Sequence, residues 1–135
     1  MAFGTIEKAL EQIHLGKMVV VVDDEQRENE GDLVMAAEKV TPEAINFMAK
    51  NGRGLICAPT TAERLEKLGI SQMVENNTEL HQTKFTVSVD AISTGTGISA
   101  FARCETIRLL AAQDSLPEYF RKPGHVFPLQ AMEGG

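Results

Sequence analysis

Tryptophan is absent, tyrosine occurs once and cysteine twice in this chain of 135 residues. With so few large aromatics there is little from which to build a stacking platform for nucleic-acid bases. The two cysteines, Cys57 and Cys104, form neither a disulfide framework nor a zinc-ligand spacing. Lys and Arg number 13 against 19 Asp and Glu, a formal net charge of -6. That balance argues against a nucleic-acid partner, whose phosphates are met by clustered cations. It leaves room for a small phosphorylated ligand, which needs only local donors. No apolar run approaches the ~18 residues of a membrane span. The opening MAFGTIEKALEQ lacks the basic start and apolar core of a secretory signal. The expectation is one domain over residues 1–135, soluble and cytoplasmic, with no membrane partner.

What is present reads as alternating helices and strands. Ile6, Ala9, Leu10 and Ile13 recur at helical spacing, which predicts a helix over 6–15 ended by Gly16. Val19 to Val22, after Met18, form a β-branched run of the kind found in strands covered on both faces. Thr41-Pro42 reads as N-cap and first helical residue, with Ile45 and Met48 inward and Gly52 closing the segment. Residues 54–58 (GLICA) read as a short buried strand. Thr60 and Glu63 have capping-box spacing before a helix that buries Leu65 and Leu68 and stops at Gly69. Residues 71–82 are polar and read as a long loop, a common place for function. Phe85, Val87 and Val89 alternate with Thr86 and Ser88, predicting a strand with the apolar set buried. Ser99 to Ala112 reads as a helix with scattered apolar positions. Pro117, Pro123 and Pro128 make the remainder irregular. The order of elements predicts an α+β fold, layered α/β/α around a mixed, twisted sheet.

Three segments carry candidate chemistry. Asp23 to Asp32 (DDEQRENEGD) places six carboxylates and one arginine in ten positions, directly after an apolar strand. Hard cations such as Mg²⁺ bind one or two carboxylates and retain waters. Crowded like charges also raise some carboxylate pKa values toward the range of a general base. The alternative is a solvated charged turn. Thr94 to Ser99 (TGTGIS) leads into a helix and offers N–H groups to a phosphate, or is simply a turn before an N-cap. Arg121 to Pro128 (RKPGHVFP) sets His125 between two prolines and after two cations. Its imidazole is either a proton shuttle or structural. Cys57 lines a pocket or belongs to the core, the second being favoured. His81 and Thr83 lie in the long loop, facing ligand or solvent.

Together, VVVVDDEQRENEGDLVMAAE, GLIC, HQTKFTVSVDA, TGTGISA and RKPGHVFPL resemble the 3,4-dihydroxy-2-butanone 4-phosphate synthase family, in order, spacing and across essentially the whole chain. The resemblance implies a lyase of riboflavin biosynthesis. It would convert ribulose 5-phosphate to the four-carbon butanone phosphate and formate by enolisation, dehydration, rearrangement and loss of one carbon. It implies Mg²⁺, with Mn²⁺ as a substitute, and a homodimer with active sites at the subunit interface. Carried onto this chain it makes Glu28 a metal ligand. Arg27, Asp32, Thr96 and His81 become substrate contacts, and His125, Glu30 and Cys57 catalytic groups. Two departures stand out. Phe101-Ala102-Arg103 lacks the acidic residue the family usually places before the arginine. The family also continues beyond the position of Gly135 with a histidine that is the second metal ligand and a later catalytic glutamate. The chain is therefore expected to be a piece of a longer enzyme, with a GTP cyclohydrolase domain as a possible continuation. The competing reading is a non-catalytic sugar-phosphate or metal-binding module, or a naturally short, inactive chain, because the second metal ligand is absent.

Overall fold

Each of the four α-helices among the described residues begins on a hydroxyl. Thr5, Thr41, Thr61 and Ser99 accept hydrogen bonds from Lys8, Ala44, Arg64 and Ala102 N–H, at 3.3, 3.1, 3.3 and 3.0 Å. Each bond satisfies an N–H that has no partner inside its helix. The computed structural model describes residues 3–134. The helices are α1 (Ile6–His14), α2 (Pro42–Phe47), α3 (Ala62–Lys67) and α4 (Ala100–Ala111). The cap of α3 is Thr61, not Thr60. Thr60 ends the preceding strand and donates its hydroxyl to the Ala58 carbonyl at 2.8 Å. The segment after α2 is closed by Arg53 at φ 57, one residue beyond Gly52.

Among the described residues five strands form two sheets. β1 (Val19–Val22) and β2 (Gly31–Val34) make an antiparallel hairpin in which Val22 faces Gly31. The acidic segment is the connection of that hairpin, and β2 has no clear signal of its own in the sequence. β3 (Cys57–Thr60), β4 (Val89–Ala91) and β5 (Phe120–Gln130) form a mixed sheet in the order β3-β5-β4. β3 runs parallel to β5 and β4 antiparallel to it. The fold is α+β with a mixed sheet. The valines of β1 are not covered on both faces: Val20, Val21 and Val22 are 66%, 49% and 47% exposed.

The expected irregular C-terminal segment is instead the eleven-residue central strand β5, despite Pro123 and Pro128. A proline inside a sheet removes one ladder bond. The Pro128 carbonyl offsets part of that loss by accepting from both Thr86 N–H, at 3.1 Å, and Thr86 Oγ1, at 2.7 Å. The same contact alters the expected facing at residues 85–88, while Val89 is buried as expected. Thr86 and Ser88 are buried, while Phe85 and Val87 are only half-buried.

Val40, Ile45, Leu65, Leu68, Val89, Ile107, Leu110 and Val126 form the core between the sheet and the helices. α4 packs on all three strands of the mixed sheet, and α2 packs on α4. The blurred periodicity of α4 has a clear cause. Its buried face includes Thr106, whose hydroxyl donates to the Ala102 carbonyl at 3.0 Å and accepts Ala91 N–H at 2.8 Å, while Phe101 stays 74% exposed. A buried polar group that is fully hydrogen-bonded carries little penalty.

Arg64 of α3 holds the end of α4. Its guanidinium donates to the carbonyls of Leu110 (3.1 Å), Ala112 and Gln113 (3.4 Å). These are helix-end acceptors with no partner inside α4. Arg64→Met keeps the packing stem and removes the donors. It should lower stability by about 1.5–3 kcal/mol, read as a reduced urea midpoint with an unchanged slope.

Candidate active site

The hairpin connection is built around Asp23. One carboxylate oxygen accepts Glu28 N–H at 2.9 Å, the other Glu30 N–H at 3.0 Å, and Arg27 Nη1 stands 3.2 Å away. Asp24 accepts Gln26 N–H at 2.8 Å. Asn29 takes a left-handed conformation at φ 52, which asparagine tolerates better than most residues. The Glu28 and Glu30 N–H groups, in that order, hold the Asp23 carboxyl below its ordinary value, with Arg27 adding to the effect. Asp23 and Asp24 are thus occupied in shaping the loop. The Glu30 carboxylate makes no hydrogen bond or ion pair among the described residues, and its N–H is the group that Asp23 holds.

Around this frame Arg27 Nη2 lies 3.4 Å and His81 Nε2 3.7 Å from the same Glu28 oxygen. The loop carrying His81 is fixed by Glu79, whose carboxylate accepts Thr83 N–H at 2.7 Å and His81 N–H at 3.0 Å. Those bonds, chiefly that from Thr83, lower the Glu79 pKa. Asp32 pairs with Val21 on the hairpin, and its charge bears on the Cys57 thiol. Burial first, and the Asp32 charge second, push the Cys57 pKa up. Both effects favour the neutral thiol of Cys57 over its thiolate. A shallow groove of about 280 Å³ runs along the 72–85 segment, but neither the acidic loop nor His125 lines it.

A second cluster forms where β4 meets β5. His125 Nδ1 lies 2.8 Å from one Asp90 oxygen, and His125 N–H donates to the other at 2.8 Å. Asp90 is buried. The strands approach so closely that a Cβ on Gly124 would collide with the Val89 backbone, and Gly124 N–H donates to Ser88 Oγ at 3.0 Å. Gly97, at φ +88, rests against the Asp90 carboxylate, so the Thr94–Gly97 turn sits over the pair. Arg121 pins this turn by donating to the carbonyls of Thr94 (2.8 Å) and Gly95 (2.5 Å). Lys122 donates to the Gly69 carbonyl at 2.6 Å. The two cations before His125 therefore bind backbone. Thr96 is exposed in the turn, and no acceptor among the described residues takes the N–H groups of Gly95, Thr96 and Ile98.

The structure thus joins Arg27, Glu28 and His81 in one cluster, and the charge of Asp32 bears on Cys57. Thr96 and His125 belong to the other cluster, and no hydrogen bond or ion pair links the two groups among the described residues. No three His, Cys, Asp or Glu side chains among those residues converge as a metal site. Sequence reasoning missed the roles of Asp23 and Asp90. The signal for Asp90 was available as a lone charge inside an otherwise uncharged strand segment. The departure at Phe101-Ala102-Arg103 also has a structural counterpart: Arg103 Nε is buried without a hydrogen-bond partner.

Residues 7–135 match the family model of 3,4-dihydroxy-2-butanone 4-phosphate synthase. The riboflavin biosynthesis protein RibBA of Aquifex aeolicus (strain VF5) is 60% identical over 136 residues, covering 98% of this chain and 34% of that protein. RibBA of Bacillus subtilis (strain 168) is 53% identical over 133 residues, covering 98% and 33%. A crystal structure of 3,4-dihydroxy-2-butanone 4-phosphate synthase in complex with two magnesium ions superposes with TM-score 0.95 at 51% identity, over 98% of this chain and 62% of that one. The cation-free form gives 0.90 at 49% identity, over 99% and 62%. The chain spans about a third of the length of these curated relatives and less than two thirds of the solved chains.

Two outcomes follow from this geometry. Asp23 has a lowered folded-state pKa, so its contribution is complete above the ordinary value of 3.8 and is lost as pH falls through the lower folded value. The amide resonances of Glu28 and Glu30 should titrate together with a midpoint below 3.8; a midpoint at or above it would contradict the hydrogen-bonded frame. Gly97→Ala adds a Cβ at positive φ against Asp90 and should cost at least about 2 kcal/mol of stability. Thermal denaturation checks this, and an unchanged midpoint would show that the turn does not rest on Asp90.

Proposed function

Because this chain belongs to the 3,4-dihydroxy-2-butanone 4-phosphate synthase family, we propose that it forms the site of a lyase of riboflavin biosynthesis. Its substrate is D-ribulose 5-phosphate, and its products are 3,4-dihydroxy-2-butanone 4-phosphate and formate. The observation that carries the reading is the pair of built clusters in one chain: an acidic loop whose scaffold leaves Glu28, Glu30 and Asp32 for chemistry, and a histidine held by a buried carboxylate.

The reaction opens with removal of a proton beside a carbonyl. This needs a base of suitable pKa and stabilisation of the negative charge that develops on oxygen. Glu30, whose side chain has no internal partner, and His125 are the proton-handling groups. Arg27 and Asp32 are suited to the substrate hydroxyls, and His81 lies beside Arg27 and Glu28. The N–H groups of Gly95, Thr96 and Ile98 and the Thr96 hydroxyl suit the phosphate. Cys57, as a neutral thiol, lines the wall beside Asp32 and does not attack. Glu28 fits Mg²⁺ or Mn²⁺, because its oxygens are hard donors in a partly open loop where waters complete the shell. When bound, the ion supplies Lewis-acid stabilisation of the developing oxyanion. The solved relative in complex with two magnesium ions supports this choice.

The same reading makes the protein a homodimer. Two clusters without a direct link in one chain, and the exposed β1 valines, support active sites completed between copies. The setting is cytoplasmic. No helix among the described residues is long and apolar enough to cross a membrane.

Formate release from ribulose 5-phosphate, followed with a coupled formate dehydrogenase, tests the function. Turnover should require Mg²⁺, stop on chelation and return when the ion is restored. Glu28→Gln and His125→Gln should each lower kcat/KM by at least about 100-fold. Absence of formate from the intact dimer with Mg²⁺ would refute the assignment.

A further inference from the structure

We propose that Asp90 is a positioning residue that fixes which nitrogen of His125 carries the proton. Asp90 is 4% exposed and uses both oxygens on a single neighbour: one accepts His125 backbone N–H at 2.8 Å, the other faces Nδ1 at 2.8 Å. The backbone N–H can only donate, so the first oxygen is committed. A carboxylate oxygen accepts, so the neutral ring places its proton on Nδ1 and its lone pair on Nε2. The ring is 42% exposed, so its far edge is open. Gly97 closes the other side of the carboxylate, and the Gly124–Val89 approach sets the strand spacing. Asp90 thus has little freedom to leave, and the imidazole little freedom to turn over. Nε2 is then the nitrogen that takes a proton from a bound molecule. This rests on the functional reading of His125 given above.

Asp90→Asn separates positioning from mere packing. The amide has the same shape but one acceptor and one donor. Its oxygen must face the fixed backbone N–H, so its NH₂ faces Nδ1. The ring then changes tautomer, putting its proton on Nε2 and the lone pair where no substrate reaches. The experiment uses the full chain with ¹⁵N-labelled imidazoles, His125 being assigned from His125→Gln. Long-range ¹H–¹⁵N spectra distinguish the two neutral tautomers and the doubly protonated ring.

The expected result is an Nδ1–H ring in the parent and an Nε2–H ring in Asp90→Asn. The variant should lose kcat on the order of 10³–10⁴-fold with KM little changed, the scale of a wrong tautomer in a carboxylate–histidine pair. An Nε2–H or mixed ring in the parent would overturn the proposal. So would a permanently doubly protonated ring near pH 7.5, which marks a structural ion pair. If the variant does not fold, the tautomer of the parent alone decides. A tautomer switch in a protein that makes no formate would sustain the positioning role and refute the proposed reaction.

Discussion

β5 has strands on both of its edges, and its pairing with β4 requires Gly124 to lie against the Val89 backbone. No side chain fits in that space. The approach brings Asp90 within reach of the backbone N–H and Nδ1 of His125 and lets Gly97 close over the carboxylate. On the other edge, the parallel pairing of Cys57 with Phe127 sets the start of β3. One interstrand distance therefore governs the histidine and the turn above it.

The acidic hairpin follows a different logic. Little of it is buried, so burial does not hold its shape. It is held by charge-assisted hydrogen bonds from backbone N–H groups to one carboxylate. The two halves of the candidate site thus differ in physical character. One is rigid because it is part of the packed sheet, and the other because a local network closes it. His81 connects the hairpin to a third segment through Glu28, and Asp32 connects it to β3 through its charge on Cys57.

Much of this was legible in the sequence. The hydroxyl caps at Thr41 and Ser99, the helix α1 and the strand β1 follow from local signals that the tertiary structure does not oppose. The acidic loop and the His125 segment stood out because charge and proline are rare in such positions. The failures have a common source in long-range pairing. β5 was hidden because two prolines normally disqualify a central strand, and only the carbonyl geometry at Thr86 and the glycine approach at Val89 make it possible. Thr86 and Ser88 looked outward because their hydroxyls find partners in β5, which local pattern cannot reveal. β2 is short and begins inside the acidic run, so its signal was masked by charge. Asp90 was overlooked because its partner lies 35 residues away.

Asp23 grips the main chain of Glu28 and Glu30 and leaves their side chains alone. The main-chain frame therefore does not depend on the Glu30 side chain, whereas the Glu28 carboxylate also meets Arg27 and His81. The side chain of Glu30 is exchangeable in a way that Asp23 is not. Charge and reach can be varied at Glu30 without losing the hydrogen bonds that close the hairpin. The same frame lets the chemistry presented by the loop change while the fold stays constant.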